Sequence, residues 1–337
     1  MKIEVLTFNK NSRKILSKNK NNFQIFLTIF LVIISLFFII NSKRYLLVVV
    51  DGILLYGTKI LPALLPFFFI TKLLSNFEII FKFCNKFSFL TKKVFNTKSI
   101  SAYIFFMSII SGYPIGAKLT SEFVENKILD KKDAQKILSF CSTSGPLFVI
   151  GTVGVGFFCD EKIGIIMFLS HIISSIINGI IFRGKKDSKI QDELPINFDK
   201  KFSLEDCMYS SIKSVLIVGG YIIIFFVLIQ ILLDYNFLYP LIKLLEFLGL
   251  SNIEAQGFCS GLIEITKGIS ILSKSSNMRL AFVLSSTLIS FSGLSIILQS
   301  LTFLDKLEIS KKIFVIQKIT HAVITIGVSY ILSFIVI

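Results

Sequence analysis

Ser111-Gly112-Tyr113-Pro114-Ile115-Gly116-Ala117-Lys118 interrupts an apolar segment, and Ser260-Gly261-Leu262-Ile263-Glu264-Ile265-Thr266-Lys267 does the same 149 residues later. Each is followed by a second Ser-Gly step in apolar sequence, Ser144-Gly145 and Ser292-Gly293, 148 residues apart. The only two histidines, His171 and His321, are separated by 150. A near-constant offset across three features implies two similar halves. An apolar chain with two similarly punctuated halves has the pattern of a membrane transporter, with its substrate held where the halves meet.

Composition supports the membrane part of that expectation. Hydrophobic residues make up 53% of the 337 and charged residues 17%, against roughly 25% charged in soluble domains. Runs such as 24–40, 163–182, 211–233, 280–304 and 312–337 approach or exceed the ~17–25 residues that cross hydrocarbon. The fold class expected is all-α, a polytopic integral membrane protein with broken helices and re-entrant hairpins. A soluble helical core is excluded because too little polar sequence exists to coat it. The net charge of +15 does not imply nucleic acid, since the lysines gather in short loops at 10–20, 82–98 and 183–189. There they anchor helices and set orientation.

The expected organisation is a basic tail over 1–22, a first membrane half over 23–184 with an extra N-terminal span, a polar linker over 185–206, and a second half over 207–337. The first run is too long for a signal-peptide core, so a retained span or signal anchor is expected. Pro62 and Pro66 lie four apart in an apolar stretch, which predicts either a broken segment or one kinked helix. Residues 76–99 read as basic and amphipathic, along a membrane face. Asp130, three before Asp133, predicts a helix start. Eight to ten membrane elements follow, some of them half-helices, by the usual ~20-residue span. The basic tail and the 82–98 loop share the cytoplasmic side if the stretch between them crosses an even number of times.

The expected substrate site is built from the breaks. Gly112, Pro114, Gly116, Gly145 and Pro146 are poor helix-interior residues. Opening a helix frees backbone donors and acceptors, which the hydroxyls of Ser111, Ser142, Thr143, Ser144 and Ser292 help satisfy and which also bind a polar solute. Gly261 completes the set in the second half. Lys118 and Lys267 occupy matching repeat positions and are expected to hold an anion together, or else to lie at membrane edges with their heads in water. Glu264, three before Lys267, is expected on the same helix face, binding a coupling proton or cation or neutralising that lysine. His171 and His321 read as hydrogen-bonded structural histidines, with a proton relay as the alternative. Five scattered cysteines suggest neither disulfides nor a metal site, and no cofactor is implied. A Walker loop and a G-x-S-x-G elbow are both missing, so neither nucleotide-driven transport nor a serine hydrolase is indicated.

Four stretches carry a family likeness: Leu61-Pro-Ala-Leu-Leu-Pro-Phe-Phe68, Ser111–Lys118, Phe140-Cys-Ser-Thr-Ser-Gly-Pro-Leu-Phe-Val-Ile-Gly-Thr-Val-Gly154 and Gly261–Gly268. Together the chain resembles the YlbJ, or SpoVV, family of sporulation integral membrane proteins, from about residue 25 to the C-terminus. The family is grouped with proteins carrying the nucleoside-recognition, or Gate, domain, and so is similar to concentrative nucleoside transporters. The resemblance implies a protein of the outer forespore membrane whose substrate is dipicolinic acid, a dicarboxylate made in the mother cell. Ser142-Thr143-Ser144 departs from the asparagine of relatives before Gly-Pro, which leaves the hydrogen-bonding pattern at that step open.

The expected function is therefore transport of dipicolinate or a similar small anion, without catalysis. The alternatives are a nucleoside or other small-solute transporter and a non-transporting scaffold for spore assembly. The partners are a small anion and membrane lipid, not nucleic acid.

Overall fold

The computed structural model describes residues 24–336 apart from 26, 75, 185–202, 306 and 308. The basic tail and most of the polar linker lie outside the described residues. All regular structure among those described is helical. In chain order the helices are α1 (Leu27–Ile40), α2 (Ser42–Leu55), α3 (Leu61–Leu74), α4 (Glu78–Lys86), α5 (Ser88–Phe95), α6 (Ile100–Ser111), α7 (Ile115–Glu125), α8 (Lys131–Cys141), α9 (Glu161–Ile181), α10 (Leu204–Asp234), α11 (Tyr239–Phe247), α12 (Asn252–Ile263), α13 (Ile265–Leu272), α14 (Met278–Phe291), α15 (Gly293–Leu304) and α16 (Lys311–Ser333). Wider π-helical turns occupy Tyr56–Ile60 and Leu147–Phe157.

Two long helices show what solvent the fold is made for. α16 buries Gln317, Lys318, His321, Thr325 and Ser329, and exposes Ile316, Ile319, Val323, Ile326 and Tyr330. α9 buries Ser170, His171, Ser174, Ser175 and Asn178 and exposes Leu169, Ile173, Ile177 and Ile180. Polar inside and apolar outside is the reverse of a soluble amphipathic helix. It is stable where the surroundings are hydrocarbon and polar groups glue helices together. Among the described residues four helical segments, one of them α14 and α15 taken together, are long and apolar enough to cross a membrane, or up to seven if each sharply bent pair counts as one span. This chain is an integral membrane protein.

Several buried hydroxyls are absorbed by their own helices. Thr120 donates to the Gly116 carbonyl at 2.7 Å, Ser174 to Ser170 at 2.6 Å and Thr325 to His321 at 2.8 Å, all one turn back. Glycine permits the close approaches. A methyl on Gly154 would overlap the Gly164 Cα where the second π-helical segment meets α9.

At the N-terminal side, α1 and α2 meet at 101°. Arg44 pairs with Asp234 at 2.5 Å and Phe37 stacks on Tyr235 at 3.8 Å, which fixes this corner to the end of α10. Pro62 and Pro66 are both accommodated in α3, next to the π-helical turn of Tyr56–Ile60. α4 and α5 expose Ile79, Phe83 and Phe89 beside Lys82, Lys86, Lys92 and Lys93. Asp130 caps α8 as expected, accepting from the Asp133 N–H at 2.7 Å. α10 begins at Leu204, with Ser203 as its cap, so the final residues assigned to the linker are already helical.

Candidate functional site

Each half contains a hairpin followed by a broken span and then a continuous helix. In the first half α6 turns through Gly112–Pro114 into α7, then α8 breaks at Ser142–Pro146 before the π-helical Leu147–Phe157, and α9 follows. In the second half α12 breaks at Glu264 into α13, α14 breaks at Ser292 into α15, and α16 follows. The hairpins fold back on themselves. A Cβ on Gly268 would overlap the Gly261 Cα, seven residues earlier, which a continuous helix cannot bring near.

The breaks also cross each other. Gly112, with φ +73°, lies so close to Gly145 that a Cβ would sit 2.5 Å from the Gly145 nitrogen. Gly293, with φ +68°, lies against the Gly261 and Ile263 carbonyls less tightly, a Cβ there falling 3.0 and 3.2 Å from them. Positive φ disfavours a side chain at both, and at Gly112 a Cβ would also strike backbone. So in each half the hairpin tip rests on the break of the following span.

A cavity opens beside these crossings. Its polar lining comes from Ser111, Tyr113, Ser144, Glu264, Thr266 and Gln299, with Gly112, Gly145 and Ser295 alongside. Phe67, Phe68 and Phe148 supply aromatic surface, and Val218 and Ile222 of α10 close one wall. Both halves contribute. The first turns of the π-helical segment and of α15 border the space through Leu147, Phe148, Ser295 and Ile296. Helix N-termini carry unsatisfied N–H groups and favour anions.

Of the residues read from sequence, Ser111, Gly112, Ser144, Gly145 and Glu264 line this cavity. Ser142, Thr143, Gly261 and Ser292 support it. The Ser142 carbonyl accepts from Lys318, Thr143 Oγ1 lies 3.3 Å from Ser108 Oγ, Gly261 allows the α12–α13 closure, and Ser292 is the break itself at φ +79°. The paired lysines do not meet. Lys118 lines an adjoining pocket with Lys72, Glu122, Ser210 and Ser214, which shares Phe68 and Ser111 with the main cavity. The Lys267 ammonium lies over the Phe226 ring, 4.5 Å from its centre, and borders neither space.

Glu264 corrects the expected geometry. It is not within a helix but is the break, extended at φ −140° and ψ 117°. Its carboxylate caps α13 and accepts from the Lys267 backbone N–H at 2.8 Å. The two residues are thus linked through main chain rather than along one face. A carboxylate at this position occupies a half-helix N-terminus, where the exposed N–H groups favour negative charge.

The histidines stand where α9 and α16 meet. Their rings stack with centroids 4.9 Å apart. The Ser144 N–H donates to His171 Nε2 at 2.9 Å, so the His171 proton sits on Nδ1, facing Ser290 Oγ at 2.8 Å. His321 Nε2–H donates to the His171 carbonyl at 3.2 Å. His171 therefore connects the first-half break to α14 of the second half, consistent with a structural role.

Sequence reasoning missed several residues. Tyr113 and Thr266 sat inside the quoted motifs. Gln299 and Ser295 carry no local signal. Lys318 had one: a lysine within an apolar span is costly unless held. It is 2% exposed, and its ammonium donates to Tyr113 Oη at 2.8 Å and to the Ser142 carbonyl at 3.0 Å. The Tyr113 hydroxyl in turn donates to the Ile289 carbonyl of the second half at 3.2 Å. Among the described residues no group of histidine, cysteine and carboxylate side chains is arranged to hold a metal.

The chain is similar to the sporulation integral membrane protein YlbJ of Bacillus subtilis, with 26% identity over 306 residues, covering 81% of this chain and 73% of the relative. The likeness read from the four motifs therefore holds at the level of a sporulation integral membrane protein. No protein-family model and no solved structure matches the chain.

Proposed function

We propose that this chain is a transporter that carries a small organic anion, dipicolinate foremost, across the outer forespore membrane during sporulation. The observation that carries this reading is the convergence of helix breaks from both halves on one cavity. Nonhelical backbone at membrane depth survives only where protein or a watery cavity satisfies it. A scaffold gains nothing from such buried polarity, whereas a carrier uses it to replace the hydration of its cargo.

The anion preference is supported by the half-helix N-termini after Pro146 and Ser292, each worth about 0.3–1 kcal/mol to a carboxylate, and up to ~2 when partly buried. Phe67, Phe68 and Phe148 suit the faces of a pyridine ring. The adjoining pocket with Lys72 and Lys118 would attract an anion on its way to or from the cavity. The similarity to a sporulation membrane protein supports the cellular setting.

A second reading, transport of a nucleoside or similar neutral heterocycle, is favoured by one observation. Glu264 is the ionisable carboxylate at the cavity wall, and Gln299 lies with it. Both suit ring nitrogens and hydroxyls better than a carboxylate.

Uptake into liposomes holding the purified protein separates the two. The expected result is saturable uptake of labelled dipicolinate that unlabelled dipicolinate competes and a nucleoside does not. Saturable nucleoside uptake without dipicolinate uptake would replace the first reading with the second.

A further inference from the structure

Lys318 carries a further inference, because its position is one that a diffusible cation would be expected to fill. It stands about two turns into α16, wholly inside the protein. Among the described residues no carboxylate pairs with it. A buried ammonium without a counter-charge is costly, so its partners must be unusually suited to positive charge.

Those partners are the end of a half-helix and the tip of a hairpin. The Ser142 carbonyl stands immediately after α8, where the helix has opened and its last carbonyls turn to side-chain donors in place of intrahelical ones. The negative end of the helix dipole lies there. The neighbouring Ser139 carbonyl, from the same last turn, is taken by Asn178 Nδ2 at 2.7 Å. The Tyr113 hydroxyl supplies a second oxygen, and the Tyr113 ring lies with its centre 4.6 Å from the ammonium. Opened helices in transporters use such carbonyl ends to hold a coupling cation.

We infer that the Lys318 ammonium is a tethered cation that occupies a monovalent-cation site formed by the Ser142 carbonyl and Tyr113, and so joins the hairpin tip to the broken span without a diffusible ion. The first-half break is then held by a charge that α16 brings with it. Movement of α16 relative to α8 would make or empty the site, and the hairpin tip at Tyr113, which borders the cavity, would follow. This holds whichever solute the cavity takes, since it concerns the support behind the cavity rather than its lining.

The test removes the tether and offers small cations in its place. Lys318→Ala opens a space the length of the lysine stem, and Lys318→Met keeps the volume without the charge. Full-length protein in detergent is heated in methylammonium, sodium or choline chloride at matched ionic strength. Wild type is expected to unfold at the same temperature in all three. Lys318→Ala is expected to unfold lower in choline and to recover by about 3 °C or more in methylammonium or sodium. Lys318→Met is expected to be lowered and to respond to none. A folded Lys318→Ala that ignores all three salts overturns the inference. So does a Lys318→Met protein as stable as wild type, which also decides the matter if the alanine variant does not accumulate. Because the readout is thermal and uses no transported solute, it can fail while the proposed function stands, and the reverse.

Discussion

The imidazole of His171 lies on that of His321, centroids 4.9 Å apart and planes 25° from parallel. The two residues hold matching places in the two halves, so this contact marks where the repeats face each other. It is also a structural joint, because His171 takes the Ser144 N–H from one half and faces Ser290 of the other. Removing the nitrogens while keeping a ring tests it. His171→Phe is expected to lower stability by about 2–4 kcal/mol, since the buried Ser144 donor and Ser290 hydroxyl lose their partner. Combined with His321→Phe the losses should fail to add by about 1 kcal/mol, measured by thermal unfolding of the single and double variants. Strict additivity would show that the stacked rings are not coupled.

The crossing of Gly112 over Gly145 leaves no room for a side chain. Gly112→Ala combines a positive-φ penalty with a backbone clash, and should cost about 2–4 kcal/mol and abolish uptake. Gly220→Ala on α10, whose added methyl meets nothing within 4 Å, is the matched control and should be neutral. Equal behaviour of the two in unfolding and uptake would contradict the tight crossing.

Glu264→Gln keeps an acceptor for the Lys267 N–H and removes a charge from the cavity wall. The stability loss should stay within about 1 kcal/mol. Dipicolinate should bind about fivefold more tightly, as a nearby like charge is gone. Weaker dipicolinate binding would mean that the carboxylate acts on the solute in some other way.

Lys118 and Lys267 should behave differently despite their matching repeat positions. Lys118→Ala, in the pocket beside the cavity, should raise the dipicolinate concentration for half-maximal uptake by about fivefold, with little change in stability. Lys267→Ala should forfeit a contact with Phe226 worth about 0.5–1 kcal/mol and leave uptake intact. The opposite pattern would put the solute at Lys267.

Cys159 is exposed in the turn after the second π-helical segment, whereas Cys84, Cys141, Cys207 and Cys259 are buried. In native protein a membrane-impermeant maleimide should modify Cys159 and spare the other four. Labelling of vesicles from one side then gives the orientation of that turn. Mass spectrometry showing modification of Cys141 instead would place α8 at the surface.

Most of the architecture was legible because local chemistry dictated it. A glycine or proline in an apolar run has few alternatives to a break, and such breaks recurred at a fixed offset. The Asp130 cap was equally local. Lysines were harder, since a lysine in apolar sequence looks the same whether its head reaches water, a ring or a buried carbonyl. Lys118, Lys267 and Lys318 ended in three different surroundings.

By itself the sequence determined that this chain spans a membrane with repeated, opened helices, because hydrocarbon tolerates only segments that satisfy their own backbone and marks every exception. Only the tertiary structure decided which breaks meet, that Glu264 is a cap and not a face residue, and that Lys318 is the buried cation. Those outcomes depend on the rotation of each helix about its axis and on contacts between residues up to 205 positions apart, such as Lys318 with Tyr113. No short window of sequence contains that information.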